Sequence, residues 1–234
     1  MRARKTAKEN APLEGAFSQG MDKGIFAVYK AKGITSHDVI DRIRKITGER
    51  RVGHGGTLDP AASGVLVVGV GREYTKKLHQ ILKHSEKVYR AKIRLGATSS
   101  TDDAEGQIYE VQPHKIPAIE ELRPLVKRFE GEIEQIPPAF SAIKIKGKKA
   151  YELARKGITP KLKPRKVFIK KIKLVSYQWP FLDLEITCGS GVYIRSLARD
   201  IGKALGVGAY LQELQRTRVG EFTLKDALDL YTFF

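Results

Sequence analysis

The sequence predicts a mixed α/β (α+β) domain, and three of its features do so. Residues 87–95, KVYRAKIRL, alternate apolar and basic side chains with the period of a strand that buries one face. Two stretches repeat their apolar residues at helical spacing and are each closed by a glycine: Val39, Ile40, Ile43 and Ile46 before Gly48, and Ile194, Leu197, Ala198, Ile201 and Leu205 before Gly206. The chain has 234 residues, 41% of them hydrophobic, enough for one large domain or a domain with an inserted lobe.

Residues 1–20 are polar, poor in aromatics and without periodicity, which predicts a mobile basic arm ahead of a domain over 21–234. Gly24 to Lys30 reads as the first strand. A turn at Gly33 leads to the first helix, with Ser36 as its N-cap. Residues 51–69 follow as a loop and then a buried strand with the run Val65 to Val68. Residues 73–83 read as a second helix, with Tyr74, Leu78, Ile81 and Leu82 on one side. In strand 87–95, Tyr89, Ala91, Ile93 and Leu95 share the apolar face. Residues 95–106 form a polar loop, and a strand resumes at Ile108. Residues 117–129 suit a helix in which Pro124 predicts a kink. Residues 135–144 read as a loop entering a strand, 148–156 as a short helix rich in Lys and Arg, and 166–177 and 181–188 as strands. Gly189-Ser-Gly191 is a tight turn, 216–222 a strand and 223–230 a last helix. There is no internal repeat or low-complexity tract.

Charge narrows the partner. The formal net charge is +17, and residues 141–173 hold thirteen Lys or Arg against the single acid Glu152. Such a cluster is either a solvated face or a track for a polyanion. Phosphate neutralisation is its usual use, which favours nucleic acid over a membrane surface. No apolar run is long enough to span a bilayer, and the first residues lack the apolar core of a secretory leader. Cys188 is the one cysteine, so no internal disulfide forms and a reducing cytoplasm is expected. The His residues and Cys188 lack metal-site spacing. Tyr74 stands where a dinucleotide fingerprint needs its third glycine, and no P-loop occurs. No metal and no cofactor is expected.

The stretch richest in chemistry is RVGHGGTLDPAASGVLVVG, residues 51–69. Pro60 fixes its own φ and pushes Asp59 toward an extended conformation, while the glycines leave open backbone beside it. A carboxylate on a stiff turn can be a nucleophile or base. Asp-Pro after glycines is equally an ordinary structural turn. Tyr89 likewise reads as a core residue on local grounds, and His54 as a lone loop histidine.

VGHGGTLDPAASGVL closely resembles the catalytic motif of the TruB-type tRNA pseudouridine synthases. The likeness runs on in order through VYKAKGITSHDVIDRIRK, Lys87-Val-Tyr-Arg90, QIPPAFSAIKIKGKKAYELARKG, CGSGVYIRSLARDIG and LQRTRVGEF, from about residue 24 to 222. It implies a pseudouridine synthase fold: a mixed, largely antiparallel sheet flanked by helices, a central RNA-binding cleft, and a smaller RNA-clamping lobe near 110–175. It implies Asp59 as nucleophile, Arg195 as its ion-pair partner, and Tyr89 as the stacking face for the target base and a candidate for the late removal of the C5 proton. Leu214 would line the uracil pocket. His54 would contact RNA and help hold the flipped conformation, Tyr193 would flank the pocket, and Lys30 would brace Tyr89 or a phosphate.

Two departures stand out. Ala31 replaces the usual Pro of the opening motif. Ser100 stands where many members carry an Asp that anchors the motif Arg, leaving Asp102 or Asp103 to substitute. No C-terminal PUA-type RNA-binding domain is expected. The resulting expectation is an isomerase that converts uridine to pseudouridine in the T loop of tRNA (position 55, TΨC arm), cytoplasmic and monomeric, with the tRNA T-arm as partner and no membrane. Two alternatives are a non-catalytic RNA-binding or tRNA-folding protein and a guide-RNA-dependent, dyskerin-like synthase.

Overall fold

The computed structural model describes residues 23–230, apart from residue 146; the expected arm over 1–20 lies outside the described residues. The chain opens with β1 (Gly24–Lys30) and α1 (Ser36–Thr47). The cap of α1 is Thr35, one residue before the expected Ser36. Thr35 Oγ1 accepts from the Asp38 amide at 3.1 Å, and the Asp38 carboxylate accepts from the Thr35 amide at 2.7 Å. Ser36 is unavailable as a cap because its hydroxyl accepts from the Leu58 amide at 2.9 Å and donates to the Leu58 carbonyl at 3.0 Å. Gly48 ends the helix in the left-handed conformation.

β2 (Val52–Gly55) and β3 (Ser63–Val70) form a hairpin around the Asp59 turn, followed by α2 (Arg72–Lys83), β4 (Lys87–Leu95), β5 (Ala97–Ser99) and β6 (Ile108–Glu110). Then come α3 (Ile119–Lys127), which runs through Pro124, β7 (Gly131–Gln135), β8 (Lys144–Ile145), β9 (Lys148–Lys149) and α4 (Ala150–Ala154). β10 (Arg165–Gln178), β11 (Phe181–Cys188), α5 (Ile194–Leu205), β12 (Ala209–Val219) and β13 (Phe222–Thr223) complete the order. The expected last helix over 223–230 is only a 3-10 turn, Leu224–Asp226. Beyond it the main chain is claimed by β1: the Tyr29 amide donates to the Leu228 carbonyl, and the Leu228 amide to that of Ala27, both at 2.9 Å.

The main sheet runs β1-β3-β12-β4-β11-β10-β7, with β2 added at β3 and β13 at β12. Every pairing in it is antiparallel except β3 with β12. The α/β class and the largely antiparallel sheet are therefore as expected. β3 is buried on both faces, which explains its unbroken apolar run. Leu66, Val68 and Val70 meet Val39, Ile40 and Ile43 of α1, while Val65 and Val67 meet Leu78 and Leu82 of α2. Across the central strands, Ile93, Leu182, Leu184 and Ile186 pack under Leu122 of α3 and Leu197 and Ile201 of α5. This core fixes three rigid platforms at one end of the sheet: the β2–β3 turn, the start of β4 and the first turn of α5.

Residues 110–175 do not leave the sheet as a block, because β7 and β10 pair within it. Within that span, 111–130 with α3 and 136–164 with the β8–β9 ribbon and α4 lie outside it. Among the described residues, no helix is long and apolar enough to cross a membrane.

Candidate active site

The β2–β3 turn is pinned from behind. The Ala62 amide donates to the Asp59 carbonyl at 3.0 Å, and the Gly33 amide to the Pro60 carbonyl at 2.8 Å. Lys30, fully buried, donates to the carbonyls of Ile34 at 2.6 Å, Ala31 at 2.9 Å and Pro60 at 3.3 Å. Its ammonium therefore braces the Asp59 turn itself, not Tyr89, and burial puts it out of reach of a phosphate. Burial also lowers the Lys30 pKa from 10.5 to about 8, against the pull of Asp59 and Asp38. The folded protein thus releases this proton near pH 8, while the unfolded chain holds it to about 10.5. Unfolding takes up a proton between those values, so the stability contributed by this residue rises with pH across that window. In chemical denaturation from pH 7.5 to 10.5, wild type should gain stability relative to Lys30→Met; a constant difference between the two would show that Lys30 does not titrate there.

Arg195 lies in the first turn of α5, which the glycine turn after β11 aims back over the sheet. Its side chain is 7% exposed and reaches four acceptors from three segments. Nη2 is 3.0 Å from Asp59 Oδ2 and donates to the Phe140 carbonyl at 3.0 Å. Nη1 is 3.4 Å from Asp103 Oδ2 and 3.4 Å from the Thr101 carbonyl. Of the two acids expected to anchor Arg195, Asp103 is the one that reaches it. Its carboxylate also accepts from the Thr101 hydroxyl and the Glu105 amide. Asp102, at φ 63°, pairs with Arg199 at 2.8 Å. Ser100 accepts from the Gln107 amide at 3.0 Å and only closes the turn.

Asp59 and Arg195 open onto a cleft of about 1060 Å³ that is also lined by His54, Tyr89, Tyr193 and Leu214. Six of the seven residues expected at the site therefore share one cavity, with Lys30 behind its wall. The Asp59 carboxylate is 42% exposed, and so accessible from the cleft. Tyr89 stands on the buried face of β4, where burial pushes its hydroxyl pKa up and the Arg216 guanidinium opposes the shift. Burial lowers the His54 pKa, and Arg216 lowers it further; Nδ1 of His54 has no hydrogen-bond partner among the described residues. Tyr193 is fixed by its backbone: its amide donates to Gln135 Oε1 at 2.8 Å, and its carbonyl accepts from Gln135 Nε2 at 3.1 Å.

Arg216 escaped the sequence reading. It is buried on β12, with Nε donating to the Val65 carbonyl at 2.8 Å and Nη2 to that of Gly56 at 2.9 Å. It ties the glycine loop to the sheet behind Tyr89. Its strand passes so close that a Cβ at Gly64, where φ is 112°, would lie 2.1 Å from the Arg216 carbonyl oxygen. That glycine was visible in the sequence, but the strand it admits was not. Among the described residues, no group of three or more His, Cys, Asp or Glu is placed to hold a metal ion.

Comparison with known proteins places the chain in a family. Residues 44–194 match the model of the TruB family pseudouridylate synthase (N terminal domain), and residues 195–233 match the tRNA pseudouridylate synthase B C-terminal domain. The chain is 48% identical over 211 residues to tRNA pseudouridine synthase B of Mycobacterium tuberculosis (strain ATCC 25618 / H37Rv), covering 88% of this chain and 70% of that protein. It is 45% identical over 218 residues to the protein of the same name from Thermobifida fusca (strain YX), covering 90% and 74%. Among solved structures, a chain of a Cbf5-Nop10-Gar1 complex superposes with a TM-score of 0.69 at 31% identity; the match covers 94% of this chain and 55% of that one, so this chain spans about half its length. From the matched families and the identity, the chain belongs to the TruB family of pseudouridylate synthases.

Proposed function

We propose that this protein isomerises uridine to pseudouridine in the T loop of tRNA, with Asp59 as the nucleophile. The reaction breaks the N1–C1′ bond, turns the uracil and rejoins it through C5, so no atom is gained or lost. The uridine must first leave its stack, at a cost of a few kcal/mol that is least in a loop. Tyr89 and Leu214 receive the base, and stacking returns about 1–3 kcal/mol per base. Asp59 then attacks uracil C6 or ribose C1′ through its carboxylate, which the Arg195 guanidinium holds in place from 3.0 Å away. The 136–164 excursion, with Lys144, Lys148, Lys149 and Arg155, clamps the stem by its phosphates and sets register without reading bases. The enzyme works as a cytoplasmic monomer.

The observation that carries this reading is the 3.0 Å pairing of Asp59 with Arg195 beside Tyr89 in a cleft roomy enough for a nucleoside. Its test is a purified protein given an unmodified T-arm hairpin, with no guide RNA and no second protein. Pseudouridine should appear by mass-labelled digestion and as a reverse-transcription block after carbodiimide treatment. Binding without product would instead support the non-catalytic alternative. Product only with a guide would support the dyskerin-like one, which the likeness to the Cbf5 chain keeps in view.

A further inference from the structure

The cleft is also lined by two buried cations, Lys87 and Arg216, that the chemistry at Asp59 does not use. Lys87, 9% exposed at the start of β4, donates to Ser190 Oγ at 2.8 Å, and the Ser190 hydroxyl donates on to the Lys83 carbonyl at 3.2 Å. Among the described residues that is the one acceptor for three ammonium protons. Arg216 lies next to it with its hydrogen bonds on neutral carbonyls. Neither cation forms an ion pair with a carboxylate among the described residues. Burial lowers the Lys87 pKa, and the Arg216 charge lowers it further. A buried cation pair without a counterion is costly, and an anion brought by a ligand relieves that cost.

Gly53, Gly55, Gly56, Gly189 and Gly191 also line the cleft. Gly53 and Gly55 are bare because Thr75 and Leu82 of α2 pack against them. A Cβ at Gly56 would sit 3.4 Å from Arg216 Nη1 and 3.8 Å from Lys87 Cε, so the bare backbone there keeps both cations within reach of the cleft. A Cβ at Gly191, at φ 88°, would meet nothing within 4 Å; that wall faces open space. A neutral uracil cannot balance two cations, whereas a phosphodiester carries a full negative charge and several acceptors.

We propose that Lys87, with Ser190 and the bare backbone at Gly56, binds a phosphodiester flanking the target uridine, which supplies the negative charge that Lys87 and Arg216 lack in the free protein. The assignment rests on the RNA substrate proposed above and makes Lys87 a substrate-positioning residue. It is tested with T-arm hairpins in which one linkage, 5′ or 3′ of the target uridine, is a neutral methylphosphonate. Neutralising one of the two should weaken wild-type binding about tenfold, as expected for one charge-assisted hydrogen bond. Lys87→Gln should bind the all-phosphate hairpin about tenfold more weakly and be indifferent to the same neutral linkage. Its slope of log affinity against log salt should be shallower by about 0.7. Lys87→Arg should recover most of the loss, and Lys203→Gln, at the exposed far end of α5, should match wild type. Wild type that binds the hairpin but ignores both neutral linkages overturns this site alone, whether or not the variants fold. A Lys87→Gln protein that loses as much as wild type on the neutral linkage also overturns it. Wild type that fails to bind the unmodified hairpin overturns the tRNA reading and this site with it.

Discussion

Asp59→Asn will bind T-arm RNA as wild type does and will make no pseudouridine. The substitution keeps the shape of the side chain and removes its charge. The backbone that holds it is unaffected, because the turn is fixed by the Asp59 and Pro60 carbonyls and by Ser36 on Leu58, not by the carboxylate. Arg195 retains Asp103 and the Phe140 and Thr101 carbonyls, so no buried charge is orphaned and folding should change little. What disappears is the nucleophile, and loss of a nucleophile typically costs on the order of 10⁴–10⁶ in kcat. Single-turnover kinetics on a T-arm hairpin, with filter binding alongside, separates the two effects. A variant that keeps more than about a hundredth of the rate would falsify the assignment of Asp59, and one that loses binding as well would show that the carboxylate holds the turn instead.

The parts of the fold that were legible in the sequence are those where one face meets the core and the other meets water. β1, β11 and α5 have the expected ends, because alternation or helical spacing stops where the turn glycines begin. β2 was read as loop because Gly53, His54 and Gly55 carry no alternation; only its partner β3 makes it a strand. The first half of β12 was missed for another reason. Its register shifts against β4 between Leu211 and Glu213 and again between Arg216 and Arg218, so the period of two is broken. The last helix was misread from a real signal: Thr223 and Asp226 do form a capping box, but pairing with β1 outweighs the helix beyond Asp226. At the site, Asp59 was marked by its own glycines and proline, whereas its link to Arg195 came only from the resemblance to a known family. The choice between Asp102 and Asp103 stayed open and Arg216 was not picked out, since what distinguishes Asp103 and Arg216 is the guanidinium and the carbonyls that other segments deliver.

Arg195→Met should lower kcat by about 10³-fold and melting temperature by on the order of 10 °C, with Arg195→Lys between it and wild type. The two losses have different causes. Asp103 and Arg195 are both almost fully buried, and breaking a buried pair from one side costs about 3–5 kcal/mol, which at 2–4 °C per kcal/mol gives the thermal shift. The catalytic loss comes from the exposed side of the same guanidinium. Without it, Asp59 and Asp103 face each other with no cation between them, and their repulsion moves the Asp59 carboxylate from the position in which Arg195 holds it for attack. Lysine restores the charge but concentrates it on one nitrogen, which cannot span two carboxylates and two carbonyls as a planar fork does. Melting curves and single-turnover rates at 15 °C, well below either transition, keep the effects apart. If the Met variant runs at the wild-type rate when cold, Arg195 is a strut for residues 101–103 and 140 alone, and Asp59 needs no partner to react.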